Sequence, residues 1–414
     1  MLRAYKYRLY PTEKQKILLA KTFGCCRYVY NRALAVKMEL YQKEKKGISV
    51  FQLTNNMVAW KDIEETKWLK EVNSQALQMS LRNLDNAYTR FFRNKKGFPK
   101  FKNKGNRDSF CCPQHSRLEG DKLFVPKFKE GIKTIVHREL SGEIKSATIS
   151  KTPSGKYFAS ILTEDGKVES KTKKPKENRT LGIDLGITNY LTDSEGKTVG
   201  NPRHLKQKLH SLKRASKKLS RKQKGGKNRE KQKKRVAILH EKVANSRKDF
   251  LHKLTKKLVE NQDYDSIAME DLAVKDMMER AGNGKKGMNR AIGDCGWGMF
   301  RELLTYKSKW YGKNLLFIGR FDPSSKLCSC GYLNQSLTLK DRTWECPECK
   351  ITHNRDILAA QNIKRFAFCK QNTSSKEISV PQELRKPVCR KANKTLLEFP
   401  VRGTLKKEAS MALA

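Results

Sequence analysis

The sequence predicts an α+β chain of several domains: a β-rich part with helices inserted in it, then a part in which strands and helices alternate. Four observations carry this. The chain has 414 residues, which at roughly 150 residues per domain suggests two or three domains. Apolar residues alternate over residues 3–9, as in a half-buried strand. They recur at three- and four-residue steps through Leu77, Leu81, Leu84, Tyr88 and Phe91, as on one buried helix face. From Leu181 onward, short apolar runs take turns with helical spacing.

Pro11-Thr12-Glu13 offers a helix start before Ile17, Leu18 and Ala20, and helical spacing continues to about Arg93. Arg82, Arg90 and Arg93 fall away from the apolar face. From Lys95 the texture changes to Lys-Lys-Gly-Phe-Pro-Lys-Phe-Lys. Short β-like runs follow at residues 123–128, 133–137, 146–151 and 157–162, with Pro153-Ser154-Gly155 as a hairpin turn between the last two. Because residues 3–9 are also strand-like, the N-terminal strand is expected in this same sheet, giving a β-barrel-like domain with the helices as an insertion. Residues 171–176 carry four lysines and a proline and read as a linker. The second part opens with Leu181-Gly182-Ile183-Asp184-Leu185-Gly186-Ile187-Thr188. A long basic helical stretch, a strand at 266–269, a helix at 298–311 and a strand at 315–318 follow. Two cysteine pairs and a helix over 356–368 complete it. After Lys370 the chain is rich in Ser, Lys and Glu without periodicity, and a mobile tail is expected.

Lys and Arg number 89 against 42 Asp and Glu, a formal charge of +47. Self-repulsion on that scale calls for a polyanionic partner, and no apolar run approaches the ~20 residues of a membrane span. Nucleic acid is therefore favoured over a lipid surface. The N-terminus lacks an apolar signal core, and eleven cysteines is an odd count for a secreted disulfide scaffold. A reducing cytoplasm is the expected compartment, with nucleoid association when bound to DNA.

Three carboxylates stand at the edges of apolar segments: Asp184 in GIDLGIT, Glu270 at the end of SIAMEDL, and Asp356 in HNRDILAAQNI. Ends of strands and helices can converge in a fold. Clustered carboxylates repel one another unless cations sit between them, and hard oxygen ligands suit Mg²⁺. Two such ions ~4 Å apart support phosphodiester displacement.

The ordered set GIDLGIT, MEDL, SSKLC–CG–CPEC and HNRDILAAQNI, with SQALQMSLRNLDNAYTRFFR and KKGFPKFK upstream, resembles the TnpB proteins of bacterial insertion sequences, relatives of type V CRISPR effectors. The likeness runs to about Phe368. It implies an RNA-guided DNA endonuclease with a RuvC-type, RNase H-like nuclease domain, and by motif position it makes Asp184, Glu270 and Asp356 the catalytic acids and Mg²⁺ ligands. It also implies a wedge domain over 1–10 and 95–170, with a helical recognition domain over 11–94. The nuclease domain would occupy 178–326 and 352–370, a zinc-ribbon-like target-strand-loading module 327–351, and the tail 371–414. The chain departs from the family pattern at Asn354, where relatives often carry Asp, and at Leu358, where they often carry Asn. Arg355 is a candidate contact to the scissile phosphate, against the simpler reading of a solvated arginine.

Cys328-Ser329-Cys330 and Cys346-Pro347-Glu348-Cys349 can close a tetrahedral thiolate site, where zinc is structural because no position stays open to water. The first pair has a one-residue spacer where the family has two. The alternatives are a tighter bite, His353 in place of one sulfur, or a knuckle without metal. The other cysteines, Cys25, Cys26, Cys111, Cys112, Cys295, Cys369 and Cys389, read as small core residues.

Residues 201–250 hold 19 Lys and Arg against 3 Asp and Glu, with Gly225-Gly226 near the middle. Two basic helices about that turn could line a channel for a heteroduplex read by its backbone. Ser74, Gln75, Gln78 and Arg82 lie in the segment that relatives use to read a short motif beside the target, and Gln and Arg suit base edges. Tyr28, Tyr30, Phe98 and Phe101 could stack on bases or pack in the core.

The expectation is an RNA-guided DNA endonuclease with an omega-type guide RNA, double-stranded DNA as target, two Mg²⁺ and a structural Zn²⁺, acting as a monomer. The alternatives are a nuclease-silent guided repressor, a small type V CRISPR effector, or a transposase acting directly on element ends.

Overall fold

The computed structural model describes residues 1–94, 97–105, 108–168, 170–279, 286–338 and 340–369. The expected tail over 371–414, with Cys389, lies outside the described residues. The chain forms two compact units that meet in sequence at Lys167/Val168.

In the first unit, β1 (Leu2–Tyr10) leads into α1 (Glu13–Glu44), α2 (Val50–Asp62) and α3 (Ser74–Asn94). Thr12 starts α1 as a capping box: its hydroxyl accepts from Gln15 N, and the Gln15 side chain accepts from Thr12 N. Strands β2 (Ser109–Cys112), β3 (Arg117–Glu119), β4 (Lys122–Val125), β5 (Phe128–Ile135), β6 (Glu143–Lys151) and β7 (Tyr157–Glu164) follow. Together with β1 they form one antiparallel sheet in the order β2-β6-β7-β1-β5-β4-β3. The N-terminal strand therefore sits at the middle of the sheet, and the three helices are an insertion between it and β2. One core joins them, from Tyr5, Tyr7 and Leu9 through Phe23, Leu77 and Leu81 to Phe110 and Ile161.

The apolar run over 123–128 is two strands rather than one. Pro126 and Lys127, the latter at φ 75°, turn the chain so that Phe128 begins β5. The sequence reading also missed β2 and β3, which are too short to show a period. The turn at Pro153-Ser154-Gly155 is present: Thr152 N donates to Lys156 O, and Gly155 takes φ 85°.

The second unit holds β8 (Thr180–Leu185), β9 (Asn189–Asp193), β10 (Thr198–Gly200), α4 (His204–Ser220), α5 (Lys227–Glu260), β11 (Ser266–Glu270), α6 (Val274–Glu279), α7 (Lys286–Cys295), α8 (Trp297–Trp310), β12 (Asn314–Ile318), β13 (Thr343–Glu345), β14 (Thr352–Asn354) and α9 (Arg355–Cys369). Its main sheet runs β10-β9-β8-β11-β12. The first three strands form an antiparallel meander, whereas β8, β11 and β12 are parallel. Helices α5 and α8 pack on this sheet through Leu251, Leu254, Trp297, Phe300 and Leu304. Helix α9 packs through Ile363 and Ala367 against Ala268 and Ile318. Among the described residues no helix is long and apolar enough to cross a membrane.

One position governs how α9 sits. A Cβ built on Gly182, in the middle of β8, would stand 2.1 Å from the Ala360 carbonyl oxygen and 2.9 Å from Lys364 Cβ. The helix backbone thus lies directly on the strand backbone, a separation that only glycine permits. Gly182→Ala is expected to lower stability by at least about 2 kcal/mol through overpacking. Gly298→Ala, in α8 with open space at the added methyl, should raise it by up to about 1 kcal/mol. Urea midpoints of the two variants check both signs, and equal midpoints would show that α9 seats elsewhere.

Candidate active site

Asp184 lies near the end of β8 and Glu270 is the last residue of β11. These strands are parallel neighbours, with Ile183 opposite Met269, so one further register step sets Asp184 beside Glu270. Asp356 arrives from the first turn of α9, which crosses β8 at Gly182. All three are half-buried. Burial and then the Asp356 charge push the Asp184 carboxyl up to about 6. Burial, then Asp184, Asp322 and Asp271, push Glu270 up to about 7. Asp184 thus lies within the electrostatic reach of both Glu270 and Asp356 at the ends of two central strands, and the ionisation of Asp184 and Glu270 is opposed by burial and then by neighbouring negative charge.

The start of α9 is built with care. Asn354 Oδ1 accepts from Asp356 N at 3.1 Å and Ile357 N at 3.2 Å, an N-cap that Asn makes as well as Asp. The departure at Asn354 therefore keeps the cap. Leu358, the other departure, is buried among Cys328, Leu337, Trp344 and Cys346, so an apolar residue there joins the helix to the cysteine module. Asn362 donates to Ser324 O and Leu327 O, both at 2.7 Å, and fastens the segment entering that module.

The four predicted cysteines come together. Their Sγ atoms all lie within 4.8 Å of one another, with Cys328 to Cys349 at 3.5 Å and Cys330 to Cys346 at 3.6 Å. Two thiolates on one tetrahedral zinc stand ~3.8 Å apart, so the cluster fits a zinc-binding module despite the one-residue spacer. Gly331, at φ 105°, and Lys350, at φ 60°, provide the left-handed turns that fold each pair back. His353 is not one of the four; its Nε2 lies 3.0 Å from Cys328 Sγ.

Three neighbours of the acids escaped the sequence reading. Arg342, just ahead of β13, reaches Asp356 Oδ1 and Thr188 Oγ1, both at 3.4 Å. Asp322, whose Oδ2 accepts from Gly319 N at 2.7 Å, adds negative charge near Glu270. Asp271 is held by Arg301 and Arg320; burial opposes its ionisation, but the two guanidinium groups keep its carboxyl below the usual range. No motif marks Arg342 or Asp322, and Asp271, although inside MEDL, gains its place only from the two arginines that fold against it. Arg355 donates to Thr338 O at 3.1 Å.

Helices α4 and α5 form the expected basic hairpin, turning at Gly225. Gln232 donates to Ala215 O, and Arg229 to Leu219 O and Lys222 O, which locks the two arms together. Arg214, Lys218 and Arg235 line a shallow groove along it. At its base, Asp294 accepts from Leu205 N at 2.8 Å and Arg247 Nη2 at 2.6 Å. In the first unit, Ser74, Gln78 and Arg82 form one exposed stripe of α3, while Gln75 donates to Gln114 Oε1 at 2.9 Å. Tyr30 is buried, Tyr28 packs on Trp68, Phe98 packs on Tyr88 and Phe91, and Phe101 is exposed.

A family model described as "Probable transposase", OrfB of the IS605 type, matches residues 162–281. One described as "Cas12f1-like, TNB domain" matches residues 297–363. A third, described as "Helix-turn-helix domain", matches residues 1–46, where the structure holds β1 and the single long helix α1. A Streptomyces pristinaespiralis protein with the provisional name RNA-guided DNA endonuclease is 38% identical over 369 residues, 87% of this chain and 88% of its own length. InsQ of Escherichia coli (strain K12), provisionally named in the same way, is 35% identical over 375 residues, 87% of this chain and 91% of its own. Among solved structures, the Cas12f1-sgRNA-target DNA complex shares the fold at a TM-score of 0.54 and 14% identity, covering 85% of this chain and 83% of that one. Identity above one third along most of both chains, together with the motifs placed around the three acids, establishes that this chain belongs to the TnpB family, the OrfB proteins of IS605-type insertion sequences.

Proposed function

We propose that this chain is an RNA-guided DNA endonuclease that cuts double-stranded DNA by metal-dependent hydrolysis, with Asp184, Glu270 and Asp356 as its catalytic acids. The observation that carries the reading is their convergence at the ends of β8, β11 and the start of α9, at a cost in electrostatic energy that a bound cation relieves. The sheet order, a three-strand antiparallel meander followed by two parallel strands, supports a RuvC-type, RNase H-like domain over 178–326 and 352–370. The first unit is read as a β-barrel-like wedge over 1–10 and 95–170, with the recognition helices over 11–94 inserted in it. Residues 327–351 are the target-strand-loading module, held by a structural zinc on Cys328, Cys330, Cys346 and Cys349.

The acids fit hard divalent cations: they are half-buried oxygen donors, and burial, then neighbouring carboxylates, raises Asp184 and Glu270. Two Mg²⁺ held there would supply activation of a water and stabilisation of charge on the scissile phosphate, leaving a 5′ phosphate. The chain's own part is positional. Asp184 and Glu270 are fixed by strand register, and Asp356 by the Asn354 cap and the seat on Gly182. Arg342 stands beside Asp356, where its guanidinium can meet a phosphate oxygen. The α4–α5 hairpin offers its Lys and Arg side chains to the backbone of a guide RNA and its heteroduplex, a contact that positions without reading bases. The stripe of Ser74, Gln78 and Arg82, with Gln75 beside it, is assigned to the target-adjacent motif.

Asp184→Ala is expected to abolish cleavage while leaving guided DNA binding intact. The measurement is Mg²⁺-dependent cutting of a guide-matched target beside a gel-shift of the same complex, and cutting by the pure variant would remove Asp184 from the mechanism.

Both raised carboxyls hold their protons more tightly folded than unfolded. Between about pH 4 and pH 7 the native state therefore binds more protons than the unfolded chain, and stability of the metal-free protein falls as pH rises through that window. Melting curves should show this fall. They should also show that Mg²⁺ raises the melting temperature more at pH 8 than at pH 5, a difference that Asp184→Asn shrinks.

Replacing Lys213, Arg214 and Lys218 by Gln should lower the slope of log affinity for the guide RNA against log salt by about 2, at ~0.7 per lost phosphate contact on a single strand and ~0.9 on a duplex. An unchanged slope would move the RNA to another surface.

A further inference from the structure

The zinc reading leaves His353 without a role, although it touches the cluster. This residue is the middle of β14, directly opposite Trp344 on β13, and the two rings pack with centroids 4.9 Å apart. The packing fixes the imidazole so that Nε2 lies 3.0 Å from Cys328 Sγ. That distance is short for two ligands of one tetrahedral zinc. With bonds of ~2.3 Å to sulfur and ~2.0 Å to nitrogen, they would stand about 3.5 Å apart. The sulfur pairs, at 3.5 and 3.6 Å, do match the edges of such a site. We infer that His353 is an outer-shell positioning residue: its Nε2–H donates a hydrogen bond to the Cys328 thiolate, and through β14 it ties the metal module to the catalytic helix.

The four sulfurs do not need this equally. Cys330 is exposed and meets water, whereas Cys328 and Cys346 are both fully buried, and of these two it is Cys328 that has a ring nitrogen at its sulfur. A thiolate removed from water requires a donor from the protein. The Cys330 backbone N–H supplies one donor to Cys328 and the Ser329 hydroxyl lies 3.9 Å from its sulfur; the His353 ring nitrogen, at 3.0 Å, is the nearer of the two side-chain groups. The tie also has a direction. His353 is followed by Asn354, the cap of α9, and then by Asp356, with Arg355 N donating to Arg342 O at 2.9 Å to close the hairpin against the helix. The metal module and the third acid are thus joined by three consecutive residues.

This inference rests on the zinc reading, and the experiment separates the two. Zinc content is measured in the full-length protein and in Cys346→Ser; a wild type without metal overturns both readings at once. The zinc is then replaced by Co²⁺ in wild type, His353→Phe, His353→Asn and His353→Gln. Phe keeps the packing on Trp344 and loses the donor, Asn keeps polarity but falls short of the sulfur, and Gln returns an N–H near the position of Nε2. The expected result is a four-thiolate cobalt spectrum in every protein that binds the ion. In His353→Phe and His353→Asn the sulfur-to-cobalt charge-transfer band should move to lower energy and metal affinity should fall by about 10- to 100-fold. His353→Gln should recover most of both. A wild-type spectrum of three thiolates and one imidazole would make His353 a ligand and overturn the proposal. So would affinity within about twofold of wild type in His353→Phe, or equal loss in all three variants with the charge-transfer band unmoved. Should the Phe variant fail to fold, the contrast between Asn and Gln decides the matter.

Discussion

The close seating of α9 on β8 is the constraint on which the second unit depends. Strand and helix meet backbone to backbone at Gly182 and Ala360, with no room for a Cβ between them. A helix brought that near carries its first turn over the end of the strand, which sets Asp356 close to Asp184. The same placement buries Leu358 among the cysteines and lets Asn362 hold the segment that enters their module. One missing side chain thus joins the candidate acids and the cysteine module to a common helix, and packing fixes their relation with few degrees of freedom left.

Charge organises the rest. The chain carries a formal +47, yet its candidate active site gathers half-buried carboxylates. Two have raised proton affinity, and Asp271 beside Glu270 is neutralised by Arg301 and Arg320. Segregation of this kind separates tasks. Exposed cations along α4 and α5 favour a polyanion at long range and without sequence preference, while in the proposed function the half-buried acids take hard cations at short range. Asp294 joins the two helices of the basic hairpin by binding the first turn of α4 through Leu205 N and α5 through Arg247.

The departures from the family pattern show how local chemistry absorbs substitution. Asn354 retains the N-cap because an amide oxygen accepts from the same backbone N–H groups as a carboxylate, and it does so without adding charge beside Asp356. Leu358 exchanges a polar residue for contact with Cys328 and Trp344. The one-residue spacer at Cys328 and Cys330 is accommodated by a left-handed Gly331, so all four sulfurs still converge.

Much of this was legible in the sequence. Period two over residues 3–9 and period 3.6 over α3 gave those elements, and family motifs pointed to the three acids and four cysteines whose convergence the structure displays. The weak points were physical. Strands β2 and β3 are too short to carry a period, and the run over 123–128 hid a turn because Pro126 and Lys127 lie inside an apolar stretch. The partners Arg342 and Asp322 carry no signature, and His353, legible as a possible ligand, takes its actual place from the Trp344 ring across the hairpin. Sequence alone determined which residue types are present, their local periodicity and the polyanionic character of the partner, because these depend on composition and near neighbours. Tertiary structure alone decided which carboxylates share a field, which cysteines are buried and which of them an imidazole reaches, because burial and distance arise only when segments far apart in the chain are packed together.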